Sequence, residues 1–289
     1  MPKLHVPGAT GLALALAAAW PAPPAAAHDD DGHHEAPLHF SHPLFTESPS
    51  PDTKLRLDWF YARLPGEGEE AGAADEEGGL LAAPADFHTF RLEAEYAFSP
   101  SLSIEVDIPV SIRNPAEGLA QVSAVDTLEV GLKYANFAFA EHGLLLGGGI
   151  EFGLPTGSDE KGIGSDHIVE IEPFIDFGFK RGSFELVGFV AVGLPVNDRP
   201  EDAEADAELA IDISALYHVA PALQLLVELN GEHVYGGEEA GLDAWNVSPG
   251  LKLRPWRGLA LDIGAGVQIP LNGTKEQKVR TVLSLFYHF

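Results

Sequence analysis

Residues 28–42 read HDDDGHHEAPLHFSH and hold five of the chain's twelve histidines, His28, His33, His34, His39 and His42, among Asp29, Asp30, Asp31 and Glu35. Imidazole nitrogens suit zinc, copper or nickel, and the carboxylates add harder oxygen donors. The spacing matches no defined structural site, so weak binding of a divalent metal and a non-specific polar leader both stay open. No other cofactor is expected. With no cysteine in the chain, thiolate nucleophiles, disulfide scaffolds and Cys-based zinc or iron–sulfur centres are excluded. No P-loop, H-E-x-x-H or G-x-S-x-G occurs, and the glycine-rich stretch 154–158 (LPTGS) closes a strand instead of opening a helix. A lipid hydrolase on a barrel wall would need Ser and a carboxamide beside an outward His. His88 and His167, the evident outward histidines, have no such neighbours at the same height. No catalytic residues, and hence no enzyme, are expected.

The other chemistry-bearing residues are carboxylates. Asp and Glu number 44 against 17 Lys and Arg, a net charge of −27, which argues against a nucleic-acid partner. Residues 1–27 combine Lys3, an apolar run over 11–20 and Ala25-Ala26-Ala27, the pattern of a secretory signal peptide. Residues 28–51 follow as a His/Asp-rich, mobile periplasmic tail. From residue 52 to residue 289 the dominant signal is strict alternation of apolar and polar residues, the period of a strand with two different faces. In 102–112 every even position is apolar (Leu102, Ile104, Val106, Ile108, Val110, Ile112), while Ser103, Glu105, Asp107 and Ser111 occupy the other face.

This pattern recurs over 54–63, 87–98, 102–112, 126–136, 144–154, 167–179, 184–194, 207–218, 222–233, 245–254, 259–269 and 278–289. These make about twelve segments of about ten residues, the length of a tilted membrane strand. Short turns alternate with longer loops, and the last segment ends on the aromatic Phe289. The expected fold is all-β: an antiparallel up-and-down transmembrane β-barrel of twelve strands, with short periplasmic turns and longer external loops. It belongs in the outer membrane of a Gram-negative envelope with both termini periplasmic. Aromatics cluster at strand ends, as interfacial girdles do.

If the apolar face meets lipid, the polar face lines the lumen. It carries Glu93 and Glu95, then Glu105 and Asp107, Glu129, Glu151, Glu170, Glu172 and Asp176, and further along Glu185, Asp212 and Glu228. Bases are fewer and gather near the seam: Lys252, Arg254 and Arg280, with Lys54 and Arg56 on the first strand. Such a wall concentrates cations; alternatively the charges pair across strands and fill the interior. Inward Gly147, Gly149, Gly153, Gly264 and Gly266 would leave a narrow path, whereas inward Phe60, Phe174, Phe189 and Phe286 would constrict it.

The residues 129–134 (EVGLKY), the glycine-rich strand ending at 153–157 (GLPTG) and the aromatic C-terminus resemble the outer-membrane protein family named after the meta-pathway of phenol degradation. The resemblance spans the barrel and implies a transporter, with no catalytic residues to carry over. The expected function is a channel for passive passage of small solutes, cation-preferring through its acidic lumen. The alternative is a non-conducting, metal-binding or envelope-organising barrel that works through the His-rich tail. Expected partners are outer-membrane lipid and lipopolysaccharide, a small solute, and the barrel-assembly machinery through the Phe289 strand. Deleting residues 28–42 is expected to leave conductance intact.

Overall fold

The computed structural model describes residues 36–64, 85–115, 120–197, 205–237, 240–256, 258–272 and 279–289. The expected signal peptide and His28, His33 and His34 lie outside the described residues. Thirteen strands run in chain order: β1 Lys54–Leu64, β2 Ala85–Ser99, β3 Leu102–Pro115, β4 Val122–Val125, β5 Leu128–Asn136, β6 Leu144–Leu154, β7 Glu170–Arg181, β8 Phe184–Pro195, β9 Ala207–Ala220, β10 Leu223–Tyr235, β11 Asp243–Leu253, β12 Leu261–Pro270 and β13 Arg280–His288. Twelve of them pair antiparallel with their neighbours and close into a barrel, because β1 bonds both β2 and β13. The short β4 is extra. It pairs with the far end of β3, Val110 to Arg113, and extends the wall above β5.

The two faces of the wall are inverted relative to a water-soluble protein. Leu57, Phe90, Leu132, Ile175 and Leu283 are exposed on the outside, while Lys54, Arg56, Asp58, Glu93 and Glu185 are almost fully buried. Period-two alternation produces this sorting, since successive side chains point to opposite sides of a strand. A closed sheet with an apolar exterior and every backbone group paired is one of the two structures that can span a bilayer. At the end carrying the tight turns, Tyr96 meets Phe98 edge to face at 5.2 Å and Tyr287 meets Phe289 at 4.9 Å.

The N-terminal segment departs from the sequence reading. A mobile periplasmic tail was expected over 28–51, but its described part runs into the barrel: Phe40, Leu44 and Ser50 are fully buried, and Pro43, Phe45, Thr46 and Ser48 nearly so. Phe40, Leu44 and Phe45 form one apolar cluster with the inward Phe60, Ala135, Leu145, Val187, Leu216, Leu226, Val282 and Phe286. Ala135, Leu145, Val187, Leu216, Leu226 and Phe286 lie in the half of the barrel nearer the tight turns, and the paired Phe60 and Val282 lie just beyond mid-height, so residues 40–51 plug chiefly that half. The apolar side chains are the physical reason, since leaving three large ones in water is unfavourable. At the opposite end, loop 155–169 folds back and buries Ile163 against Ala62 and Phe87.

Candidate functional site

A chain that enters a lumen without regular structure must satisfy its backbone polar groups with partners from the wall. Here wall charges do so. The Glu228 carboxylate accepts the N–H groups of Leu44 (3.0 Å), Phe45 (3.2 Å) and Thr46 (3.3 Å), and the Thr46 hydroxyl as well. Glu185 accepts the Ser41 N–H at 2.8 Å. Lys252 Nζ donates to the His42 carbonyl at 2.6 Å, Lys180 Nζ to the His39 carbonyl at 2.9 Å, and Arg56 to the Leu44 carbonyl. Lys133 pairs with Glu47 at 2.8 Å. Burial raises the Glu47 carboxyl, but the Lys133 ammonium outweighs it and holds the group below its ordinary range.

The lumen glycines are occupied by this packing, contrary to the expected path. A Cβ on Gly250, Gly264 or Gly266 would run into the Leu44 methyl groups, and one on Gly178 into the Phe40 ring. Gly149 likewise makes room for Phe174, and Gly147 for Asp176. Glycine in these strands therefore lets side chains of the plug and the wall approach the backbone closely.

The expected lumen residues fall into four groups by what they touch. Glu185, Glu228 and Lys252 hold the plug. Glu93, Glu95, Glu105 and Asp107 belong to an ion-pair network on β1 to β3. In it Lys54 Nζ lies 2.6 Å from Glu93, 2.5 Å from Glu95 and 3.1 Å from Glu105, and Arg91 lies 2.6 Å from Asp58 and 3.3 Å from Asp107. Near the seam, Arg254 forms a two-pronged pair with Asp262 at 2.7 and 2.8 Å. The Arg280 guanidinium lies 4.3 Å from the centre of the Phe60 ring, and Lys252 lies 4.1 Å from that of Phe286. The pairing alternative thus describes this side of the barrel.

The other side differs. Among the described residues, no Lys, Arg or His lies within ion-pair distance of Glu129, Glu151, Glu172, Asp176 or Asp212. Both oxygens of Asp176, and one each of Glu172 and Asp212, are buried without a hydrogen-bond partner. Glu170 sits beside them at the far end of β7, partly buried. Between the two walls, above Phe45 and Glu47, lies a small cavity of about 20 Å³ lined by Arg91, Glu105, Asp107, Glu129, Glu151 and Asp212, room for about one water.

Sequence reasoning missed the plug and two residues tied to it, Asp52 and His288. Asp52 Oδ2 receives His288 Nδ1 at 2.6 Å and His42 Nε2 at 3.2 Å, with His39 Nε2 at 3.6 Å. Burial raises the Asp52 carboxyl, yet the hydrogen bonds from His288, His39 and His42 hold it well below the carboxylate range. His42 is pushed below its ordinary value by burial and then by Lys54. The signal that marks the plug is the trio Phe40, Leu44 and Phe45 within an otherwise polar stretch. For the hydrolase alternative, Ser165 Oγ and Asp159 both approach the same nitrogen of His167, Nδ1, at 3.1 and 2.7 Å. A relay needs them on opposite nitrogens.

No family model matches the chain, and no curated protein matches it. Among solved structures, an outer membrane channel from Pseudomonas putida F1 superposes with a TM-score of 0.57 at 13% identity, over 82% of this chain and 96% of that one. The NanC porin superposes with a TM-score of 0.51 at 8% identity, over 82% of this chain and 98% of that one. At these identities the likeness establishes a shared fold, the closed antiparallel barrel of outer-membrane proteins.

Proposed function

We propose that the chain is an outer-membrane channel for passive passage of small solutes, with a preference for cations, whose lumen is held shut by residues 40–51 until that segment moves. The observation that carries this reading is the wall of unpaired carboxylates, Glu151, Glu172, Asp176 and Asp212, facing a wall whose charges are already paired. Buried carboxylates without counter-ions are costly, and a membrane protein that keeps them offers them to something positive that enters. The apolar exterior contacts lipid and lipopolysaccharide, both termini face the periplasm, and the strand ending at Phe289 is the part offered to the barrel-assembly machinery. The resemblance to the phenol meta-pathway family, and the channel and porin with which the barrel superposes, support a transporter without enzymatic activity.

The test is conductance of the purified protein in planar bilayers under a KCl gradient. The intact barrel is expected to conduct little. Deleting residues 28–51 is expected to produce discrete openings that reverse on the cation side, with the reversal potential moving toward zero in Glu172→Gln/Asp176→Asn/Asp212→Asn. A folded plug-deleted barrel that stays silent, or reverses on the anion side, overturns the reading. A silent plug-deleted barrel would favour the second reading, a non-conducting metal-binding or envelope-organising barrel, which draws support from the filled lumen and from the gathering of His39, His42 and Asp52.

A further inference from the structure

Three clusters of side chains among the described residues bring potential metal ligands together: Glu47, Glu93 and Glu105; Asp159, Asp166 and His167; and His39, His42 and Asp52. In the first, the Lys54 ammonium already lies against Glu93 and Glu105. The second is largely exposed, on a loop. The third joins two imidazoles and a carboxylate at the point where the plug turns into β1.

We propose that this third cluster binds one divalent cation of the zinc, copper or nickel class through His39 Nε2, His42 Nε2 and Asp52 Oδ2, with His288 holding Asp52 in place. Distances decide the roles. A tetrahedral zinc with ligands about 2.0–2.1 Å away sets neighbouring ligand atoms about 3.3 Å apart. Asp52 Oδ2 lies 3.2 Å from His42 Nε2 and 3.6 Å from His39 Nε2, close to that edge. His288 Nδ1, at 2.6 Å from the same oxygen, is too near to be a neighbouring ligand and is spaced as a hydrogen-bond donor to a ligating carboxylate. The other Asp52 oxygen accepts the Thr53 N–H at 2.8 Å, which leaves Oδ2 to the cation. The His39 side chain is 47% exposed and His42 only 3%, so the cation enters past His39 and meets a water as its fourth ligand. Of the nearby ammonium groups, Lys54 is neutralised by Glu93, Glu95 and Glu105, and Lys252 donates to the His42 carbonyl, not to its ring.

The ligands come from both ends of the plug loop. His39 and His42 stand at its start and Asp52 at its end, and Ser50 Oγ already accepts the Phe40 N–H at 2.9 Å across the same gap. A cation bound there closes the loop at its neck and ties it, through His288, to β13. Because it binds only the docked arrangement, it stabilises the plugged barrel. The site stands whether or not the barrel conducts.

The test is zinc titration of the protein purified from outer membranes, by calorimetry, with folding checked by heat-modifiable migration in gels. One equivalent is expected to bind, with affinity falling at least about tenfold in His39→Ala, whose half-exposed imidazole is not needed for folding, and in Asp52→Asn. His288→Ala is expected to lose about 10–100-fold, the usual effect of removing an outer partner. The triple variant His28→Ala/His33→Ala/His34→Ala is expected to stay within about threefold of the parent. Unchanged affinity in His39→Ala, loss confined to the triple variant, or no stoichiometric zinc on a folded barrel each overturns the proposal. Conductance, measured separately, decides the channel reading.

Discussion

Replacing Glu228 with leucine tests whether wall charges hold the plug. The carboxylate is fully buried and accepts the backbone N–H groups of Leu44, Phe45 and Thr46. Leucine fills nearly the same space and accepts nothing, so the docked plug keeps three N–H groups buried without partners. Each such group costs about 1–2 kcal/mol. The docked state therefore loses roughly 3–6 kcal/mol against an undocked state in which water satisfies the same groups, or about 10²–10⁴ in the docked-to-undocked ratio at ~1.4 kcal/mol per tenfold. Arg56 keeps Asp58 at 2.9 Å and Glu93 at 3.3 Å, so the wall itself is not left with an unpaired charge. The assay is single-channel open probability, with the plug-deleted barrel as the reference for full opening. Glu228→Gln, which retains one acceptor oxygen, should fall between. If Glu228→Leu folds and shows the open probability of the parent, while plug deletion opens the channel, these hydrogen bonds are not what holds the plug.

Gly264→Val puts a branched side chain where Leu44 sits; overpacking of this kind costs about 1–3 kcal/mol, and more frequent openings are expected in the same recordings. Lys54→Met removes the ammonium shared by Glu93, Glu95 and Glu105, so a loss of about 3–5 kcal/mol should appear as a lower urea midpoint in a heat-modifiability titration. Docking should also depend on pH through Glu47, which Lys133 holds below its ordinary range against the raising effect of burial. A depressed carboxyl contributes stability that is fully present above its undocked value, about 4.5, and is lost as pH falls toward the docked value. Open probability should thus rise below about pH 4.5, and the rise attributable to this pair should vanish in Glu47→Gln.

The barrel was legible because its signal is local. Alternation needs only neighbouring residues, so Leu102 to Ile112 announces a two-faced strand without knowledge of its partners, and the observed β3, Leu102–Pro115, contains that segment. The strand from 126 was the exception: an extra residue at Asp126 and Thr127 shifts the register against β3, although the Asp126 N–H still donates to the Pro109 carbonyl, so the wall there is built from β4 and β5 with a break between them. Sidedness was equally readable, because parity alone puts Glu93, Asp107, Asp176 and Asp212 inside. What each inward charge does was not readable. Glu185 and Asp176 look alike in the sequence, yet one holds Ser41 and the other has no hydrogen-bond partner among the described residues.

Sequence alone therefore determined the class of fold, the strand count and the two faces of the wall, since a period of two is a property of the chain itself. Only the tertiary structure decided that residues 40–51 fill the lumen, that the strand glycines receive Leu44 and Phe40, and that His39, His42, Asp52 and His288 meet. These contacts join residues far apart in the chain, as in the pairing of Asp52 with His288. They arise because closing the sheet creates an interior whose charges and gaps a short apolar-bearing segment can satisfy, and no local pattern records that match.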